Sequence, residues 1–318
     1  MKQNGIKFKK YFKEYKWSNV FAMIKNNRKK PLICDQDCKG KLVVISGATS
    51  GIGYAVAHKY ASMGANLICI NRNPQKSEDL KQEIESQYNV SCHYLIADLS
   101  SLEETHRVAK QLLEIQTSID VLIHNAGVFL TEKEVTIDGL EKVFMVQYLS
   151  SFIINYMLKE KLKSQESARI ILVNSEGHRF AAWGIRLDDL NWDKRSYGGL
   201  KSYGSAKLAQ LLSMICFHDY FTGSGVTINA MHPGAVKTET GQENGKIYKW
   251  YKRKILDKSL KSTSISADAI YYLGVSDEIS TISGKFFNLT TLEIPSPPAL
   301  DREIANLLWN ISIKLGKL

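Results

Sequence analysis

The sequence predicts an α/β chain folded as a single doubly wound domain, with a mainly parallel seven-stranded sheet and helices on both faces. Three observations carry that prediction. Short β-branched apolar runs alternate with stretches of helical period from Lys41 onward, the pattern of successive βαβ units with right-handed crossovers. The first of these runs ends in a glycine-rich turn that leads directly into a helical pattern. No break in composition, internal repeat or low-complexity segment divides the 318 residues, so residues 40–290 read as one domain.

Leu42–Ile45 is too short for a helix and rich in β-branched residues, which reads as a buried strand. It stops at Ser46-Gly47. Ile52, Val56, Ala57, Tyr60 and Ala61 then recur at helical spacing to Met63. Residues 66–71 (NLICIN) form the second strand, and a polar helix follows from 74 to 88. Residues 92–97 (CHYLIA) form the third strand. Ser100 or Ser101, with Glu103 and Glu104 in the first turn, then suits a helix start. DVLIH at 120–124 is the fourth strand, followed by a long helical pattern over 138–163. Residues 169–174 form the fifth strand, 201–221 a helix, 226–231 the sixth strand, 267–273 a helix and 285–288 a last short strand.

Composition narrows the function class. Hydrophobic residues make up 44% and charged residues 23%, as in ordinary globular domains. No apolar run reaches the roughly 18 residues of a spanning helix. The basic start lacks an apolar leader core, so a cytoplasmic protein is expected. Five scattered cysteines read as reduced thiols, and Cys34/Cys38 lacks the second ligand pair a metal site needs. Of the net charge of +10, residues 1–30 carry +9, so nucleic-acid binding by the near-neutral body is not expected. Within that arm Phe8, Tyr11, Phe12 and Tyr15 fall at helical spacing among lysines, and Trp17 and Phe21 extend the apolar content. Two readings stand side by side, a basic amphipathic helix lying on an anionic membrane at the cytosolic face or a face packed on the protein's own body, and a nucleic-acid-binding arm is a third and weaker one. Residues 1–39 are thus an extension and connector.

The glycine turn offers a phosphate site. Gly47, Gly51 and Gly53 lack a Cβ, and the helix N-terminus behind them presents free N–H groups and a favourable dipole to an anion. The spacing G-x-x-x-G-x-G differs from the commoner G-x-G-x-x-G. An acid after the second strand selects NAD, whereas an arginine there favours the 2′-phosphate of NADP. Here Arg72 follows, with no acid until Glu78, which predicts NADP(H).

These residues resemble the short-chain dehydrogenase/reductase superfamily over about 40–290. Ser46-Gly47-Ala48-Thr49-Ser50-Gly51-Ile52-Gly53 resembles the first family motif T-G-x-x-x-G-I-G. Asp98-Leu99 resembles the adenine contact, and His124-Asn125-Ala126-Gly127 the N-N-A-G that supports the sheet beside the cofactor. Tyr203-Gly-Ser-Ala-Lys207 resembles the active-site Y-x-x-x-K. His232-Pro233-Gly234-Ala235-Val236-Lys237-Thr238 resembles the P-G-x-V-x-T segment that meets the nicotinamide. Within the superfamily the chain is most similar to the branch of retinol dehydrogenases, WW-domain oxidoreductase and protochlorophyllide reductases. The resemblance implies a Rossmann-type sheet in the order 3-2-1-4-5-6-7, hydride transfer, and a mobile lid over the substrate at about 240–265.

The residues support that chemistry by themselves. Y-x-x-x-K occurs three times, at Tyr197/Lys201, Tyr203/Lys207 and Tyr248/Lys252. Only Tyr203/Lys207 opens the helix between the fifth and sixth strands, where ligands of open α/β sheets bind, with Ser175 at the end of strand five. Carbonyl–alcohol interconversion needs a proton donor or acceptor. A phenol has a pKa near 10, and a nearby ammonium lowers it. Tyr203 is therefore the expected acid/base and Lys207 its activator and holder of the nicotinamide ribose. Ser175 is the expected donor to the substrate oxygen. Gln147 stands where the family carries the Asn of its proton relay, and Thr49 where the branch often has Asn.

Residues 245–261 hold Tyr248, Trp250, Tyr251, Ile255 and Leu256 among seven cations; the apolar members suggest a lipophilic substrate and the cations a membrane surface or an anionic group, and a solvated amphipathic helix is an equal alternative. The tail, 291–318, ends in a helical pattern that would cover the pocket or make a contact in a homo-oligomer. The sequence thus predicts an NADP(H)-dependent oxidoreductase acting on a lipophilic retinoid-, steroid- or aldehyde-like carbonyl or alcohol. The alternatives are an NADP(H) sensor or scaffold, favoured only by Gln147, and an enone C=C reductase.

Overall fold

In a computed structural model of the chain, the described residues are 10–16, 19, 25–26, 29–234 and 262–318. The elements follow in chain order: β1 (Leu42–Ser46), α1 (Gly51–Ser62), β2 (Asn66–Asn71), α2 (Pro74–Tyr88), β3 (Cys92–Ile96), α3 (Leu102–Glu114) and β4 (Val121–His124). A composite helix, α4, then joins Lys142–Phe144, a π-helical turn Met145–Leu149 and Ser150–Lys163. It is followed by β5 (Ala168–Val173), α5 (Gly199–Phe221), β6 (Val226–His232), α6 (Thr263–Val275), β7 (Phe286–Asn288), β8 (Thr291–Glu293) and α7 (Arg302–Leu315).

The sheet order is β3-β2-β1-β4-β5-β6-β7-β8. The expected order of seven strands is present, and all seven pair in parallel. An eighth strand corrects the count: β8 folds back antiparallel on β7. The turn is tight because Leu289 adopts φ +54°, a conformation its sequence gives no reason to expect. A second difference concerns α4, which begins at Lys142 rather than at 138. Buried Glu141 stops the helix there by accepting the amides of Val143 (3.1 Å) and Phe144 (2.7 Å).

The strands are buried on both faces, as parallel strands under crossover helices must be. Val44, Ile68, Ile70, Leu122, Ile170 and Leu172 enter one core cluster with α3, α4 and α5. Their neighbours Val43, Ile45, Leu67, Cys69, Ile123, Ile171 and Val173 enter the other, with α1 and α6. This is the period of two that a pleated strand imposes. Helix α7 does not reach the pocket. Trp309 packs edge-on against Phe217 (4.7 Å) and Phe152 (5.0 Å), closing the α4–α5 face.

The N-terminal arm docks on this body where it is described. The Tyr11 hydroxyl, buried, donates to Asp301 at the N-cap of α7 (2.6 Å), and Lys10 pairs with the same carboxylate (2.7 Å). Tyr15 donates to the carbonyl of Ala182 (2.8 Å). Asn26 donates to Glu293 on β8 (2.9 Å). Phe12 is 61% exposed. Phe8, Trp17 and Phe21 lie outside the described residues.

Candidate active site

The carboxyl ends of β1, β2, β4, β5 and β6 open onto one cavity of about 650 Å³, a size typical of ligand sites. Its first wall is the turn after β1. Gly47 (φ +72°) and Gly51 (φ +58°) take left-handed backbone conformations that side chains resist. The Ser46 hydroxyl accepts the amides of Asn125 and Ala126, each at 3.0 Å. The Asn125 side chain returns two bonds, to the carbonyls of Ser46 (3.1 Å) and Gly47 (3.0 Å). Asn125 therefore stitches the end of β4 to the glycine turn. Asn71 fixes the same turn from β2 by accepting the amide of Ala48 (2.8 Å).

A nicotinamide dinucleotide fits what is built here. The N-cap Ser50 of α1 makes no side-chain cap and no acid occupies the first turn, so the helix end faces the cavity open to an anion. A Cβ on Gly127 would fall 2.7 Å from the Gln147 amide oxygen, so any side chain there would push the Gln147 amide aside. Thr49, Ser50, Gly51, Ile52, Arg72, Asp98, Leu99, Asn125, Ala126, Gly127, Pro233 and Gly234 all line the cavity, as do Gln147, Ser175, Tyr203 and Lys207. Gly53 does not line it: a Cβ there would collide with the Gly47 carbonyl and Asn125, so its role is helix–turn packing. Val236, Thr238, Tyr248/Lys252 and most of the expected lid lie outside the described residues.

At the reacting end, helix α5 presents Tyr203 and Lys207 one turn apart, and β5 delivers Ser175. Lys207 is buried, and its ammonium donates to the carbonyl of Val173 (2.7 Å) and stands 5.9 Å from the Tyr203 ring centroid. Burial pulls the Lys207 pKa down to about 7. Burial pushes the Tyr203 phenol above 10, and the Ser175 hydroxyl partly opposes that shift. Desolvation is the largest influence on both groups. The Ser175 hydroxyl accepts the Gly177 amide (2.9 Å), which leaves its own proton free to donate. Tyr197 stands before α5 and bonds Leu130 and Glu141 (3.3 Å each) instead of entering the site.

Gln147 sits in the π-helical turn of α4, which carries one extra residue per turn and so reaims its side chain. Its amide nitrogen donates to the carbonyl of Val128 (2.8 Å). Its amide oxygen is buried with no hydrogen-bond partner among the described residues.

Several residues of the site escaped the sequence reading. Lys76 lines the cavity near Arg72; the signal was available, since two cations four residues apart bracket the start of α2. Asn174 cross-ties the site, donating to the carbonyl of Lys207 (2.9 Å) and to Gln210 (2.8 Å) while accepting the Ser175 amide (2.8 Å). A Cβ on Gly177 would lie 2.6 Å from the Tyr203 ring, and one on Gly204 2.8 Å from Phe180. These two contacts let α5 press close against the turn after Ser175.

The short chain dehydrogenase family model matches residues 41–184. Human Retinol dehydrogenase 13 is 35% identical over 283 residues, covering 87% of this chain and 84% of that protein. The chain belongs to this family. WW domain-containing oxidoreductase of Danio rerio is 29% identical over 290 residues, covering 88% of the chain and 69% of that protein. A short chain dehydrogenase of Burkholderia cenocepacia, solved in complex with NADP, shares the fold at a TM-score of 0.62 and 18% identity, with 81% of this chain and 98% of that one covered. This short-chain dehydrogenase is thus a nicotinamide-dependent oxidoreductase of the branch its motifs resemble.

Proposed function

We propose that this short-chain dehydrogenase interconverts a lipophilic carbonyl compound and its alcohol with NADP(H). The observation that carries the reading is the convergence of Ser175, Tyr203 and Lys207 on the cavity that the glycine turn also lines. The nicotinamide, when bound, supplies or takes up the hydride. Ser175 holds the substrate oxygen with the proton that its Gly177 contact leaves available. Tyr203 delivers a proton to that oxygen. With its pKa raised, the phenol is neutral at pH 7, the state a general acid requires in the reduction direction. Lys207, tethered to Val173, stabilises the phenolate left behind whenever it carries its proton.

Arg72 and Lys76, both on the cavity wall, supply the positive charge that favours a 2′-phosphate over a bare ribose hydroxyl. Val128 and Val146 pack beside Tyr203, and Phe129 meets it edge-on at 5.9 Å. That apolar wall favours a lipophilic substrate. The basic arm, with Phe12 exposed on it, is proposed to rest on an anionic membrane from which such a substrate partitions.

The test is NADPH oxidation against retinals, ketosteroids, aliphatic aldehydes, quinones and enones, with Tyr203→Phe beside the wild type. Turnover on one carbonyl class, reduced by about 10²–10⁴ in the variant, is expected. Tight NADPH binding without turnover on any of them would replace the reading with the sensor alternative. Product analysis showing a saturated C=C bond would replace it with enone reduction.

A further inference from the structure

His178 lies three residues beyond Ser175 and is fully buried. Its Nδ1 is 2.7 Å from the carbonyl oxygen of Ser175, and its Nε2 is 3.0 Å from the backbone N–H of Ser296. A backbone amide can only donate and a carbonyl can only accept. Nε2 must therefore be bare and the ring proton must sit on Nδ1. Two main-chain groups fix the tautomer, and neither can reverse its role. A protonated ring would set Nε2–H against the Ser296 N–H, and burial holds the imidazole pKa down at about 3.

The amide, the carbonyl and the hydroxyl oxygen of Ser175 are thereby held, and only the hydroxyl proton is left to donate. Its amide donates to Asn174 (2.8 Å), its hydroxyl accepts from Gly177 (2.9 Å) and its carbonyl accepts from the His178 ring. The ring also stands edge-on against Phe286 of β7, centroids 5.1 Å apart. Its neighbour Arg179 adds a second link. Arg179 donates to Glu176 (2.5 Å), to Glu293 on β8 (2.9 Å) and to the carbonyl of Ile294 (3.1 Å). The short 3₁₀ turn after Ser175 (Glu176–Ala181) hangs from the C-terminal hairpin through these two side chains.

We propose that His178 is a positioning residue, which transmits the placement of the β7–β8 hairpin and Ser296 to the hydroxyl of Ser175. The role in turnover rests on the carbonyl-reduction reading; the contact itself does not. A hydroxyl that must meet a substrate oxygen and the Tyr203 phenol together tolerates little displacement, since misplacement of about 1 Å costs on the order of 10²-fold in rate.

Three full-chain variants separate this from a merely structural role. His178→Leu removes both ring contacts. His178→Asn keeps a donor where Nδ1 stood. Ser296→Pro removes the N–H and the hydroxyl together and sets the ring Cδ against His178 Nε2, at a backbone φ of −61° that proline accepts. Hydrogen exchange of the 174–178 peptide is read against β5 and α5, beside kcat and the NADPH dissociation constant. In His178→Leu, exchange should rise tenfold or more and kcat fall about 10- to 100-fold, with NADPH affinity within about twofold of wild type. His178→Asn should recover most of kcat, and Ser296→Pro, which displaces the ring, should lower kcat and raise exchange in the same direction as His178→Leu. Unchanged exchange in the Leu and Pro variants overturns the proposal, as does equal loss of kcat in the Asn and Leu variants, or altered exchange with kcat intact. If His178→Leu does not fold, Ser296→Pro alone decides by the same readouts. If the wild type turns over no carbonyl while the exchange signature appears, the reduction reading fails and the Ser296–His178–Ser175 link stands.

Discussion

Acid should destabilise this protein through imidazoles it buries uncharged, and the share of one of them can be measured. His124 ends β4 at 5% exposure, with Nε2 2.7 Å from the Asn155 amide oxygen. Burial is the larger influence and takes its pKa from 6.5 to about 4, the Asn155 contact opposing. The folded pKa is below the unfolded one, so as pH falls through 6.5 the unfolded chain binds a proton that the native state refuses. Stability contributed by the neutral ring is complete above 6.5 and declines steadily to about pH 4. At 1.36 kcal/mol per pH unit, the 1.5 units between 6.5 and pH 5 amount to about 2 kcal/mol, roughly a thirtyfold change in the folding constant. His178 adds a similar loss in the same window. Glu176 acts in the opposite direction: burial, with a smaller contribution from the neighbouring Glu293 and against the pull of Arg179, raises its pKa to about 7, so the native state takes up a proton there before the unfolded chain does. Urea unfolding at about pH 7.5 and pH 5, for wild type and His124→Asn, isolates the imidazole as a double difference. Whatever packing the substitution loses is common to both pH values and cancels. The variant should lose about 2 kcal/mol less than wild type on acidification. Equal acid sensitivity in the two proteins would refute the assignment of a neutral, buried His124.

Two further outcomes follow from the cavity wall and the arm. Arg72→Asp should weaken NADPH far more than NADH, and Lys76→Ala should do so by a smaller factor, of order ten, as for one charge-assisted contact; fluorescence titration with both cofactors checks this, and equal losses for the two would remove the 2′-phosphate role. Lys13 and Lys16 are exposed on the arm beside the seated Tyr11 and Tyr15, so Lys13→Glu/Lys16→Glu should cut binding to phosphatidylserine vesicles at least tenfold, at about 1 kcal/mol per lysine, and leave NADPH affinity unchanged; undiminished vesicle binding in flotation would sink the membrane proposal.

What could be read in the sequence and what could not divide along the range of the interactions. The strand–turn–helix at 42–62 is local: period, glycines and helix start all fall within about twenty residues, and the structure keeps them in place. Tyr203 and Lys207 share a helix face by the same local rule, and Ser175 joins them because parallel topology gathers strand ends. The π-helical turn at Gln147 carries no pattern of its own. Strand β8 is three residues long and depends on Leu289 taking a positive φ. His178 reads as an unremarkable polar residue until Ser296, 118 positions later, meets its ring. The arm was ambiguous because the same aromatic spacing suits a membrane or a groove; Tyr11 and Tyr15 are claimed by Asp301 and Ala182. These long-range contacts share a direction. Tyr11, Asn26, His178 and Arg179 all end on residues 293–301, a stretch that holds none of the family motifs. The motif residues line the cavity, while the C-terminal stretch is joined to Ser175 through His178 and to the arm through Asn26 and Tyr11, contacts too distant in sequence to leave a local pattern.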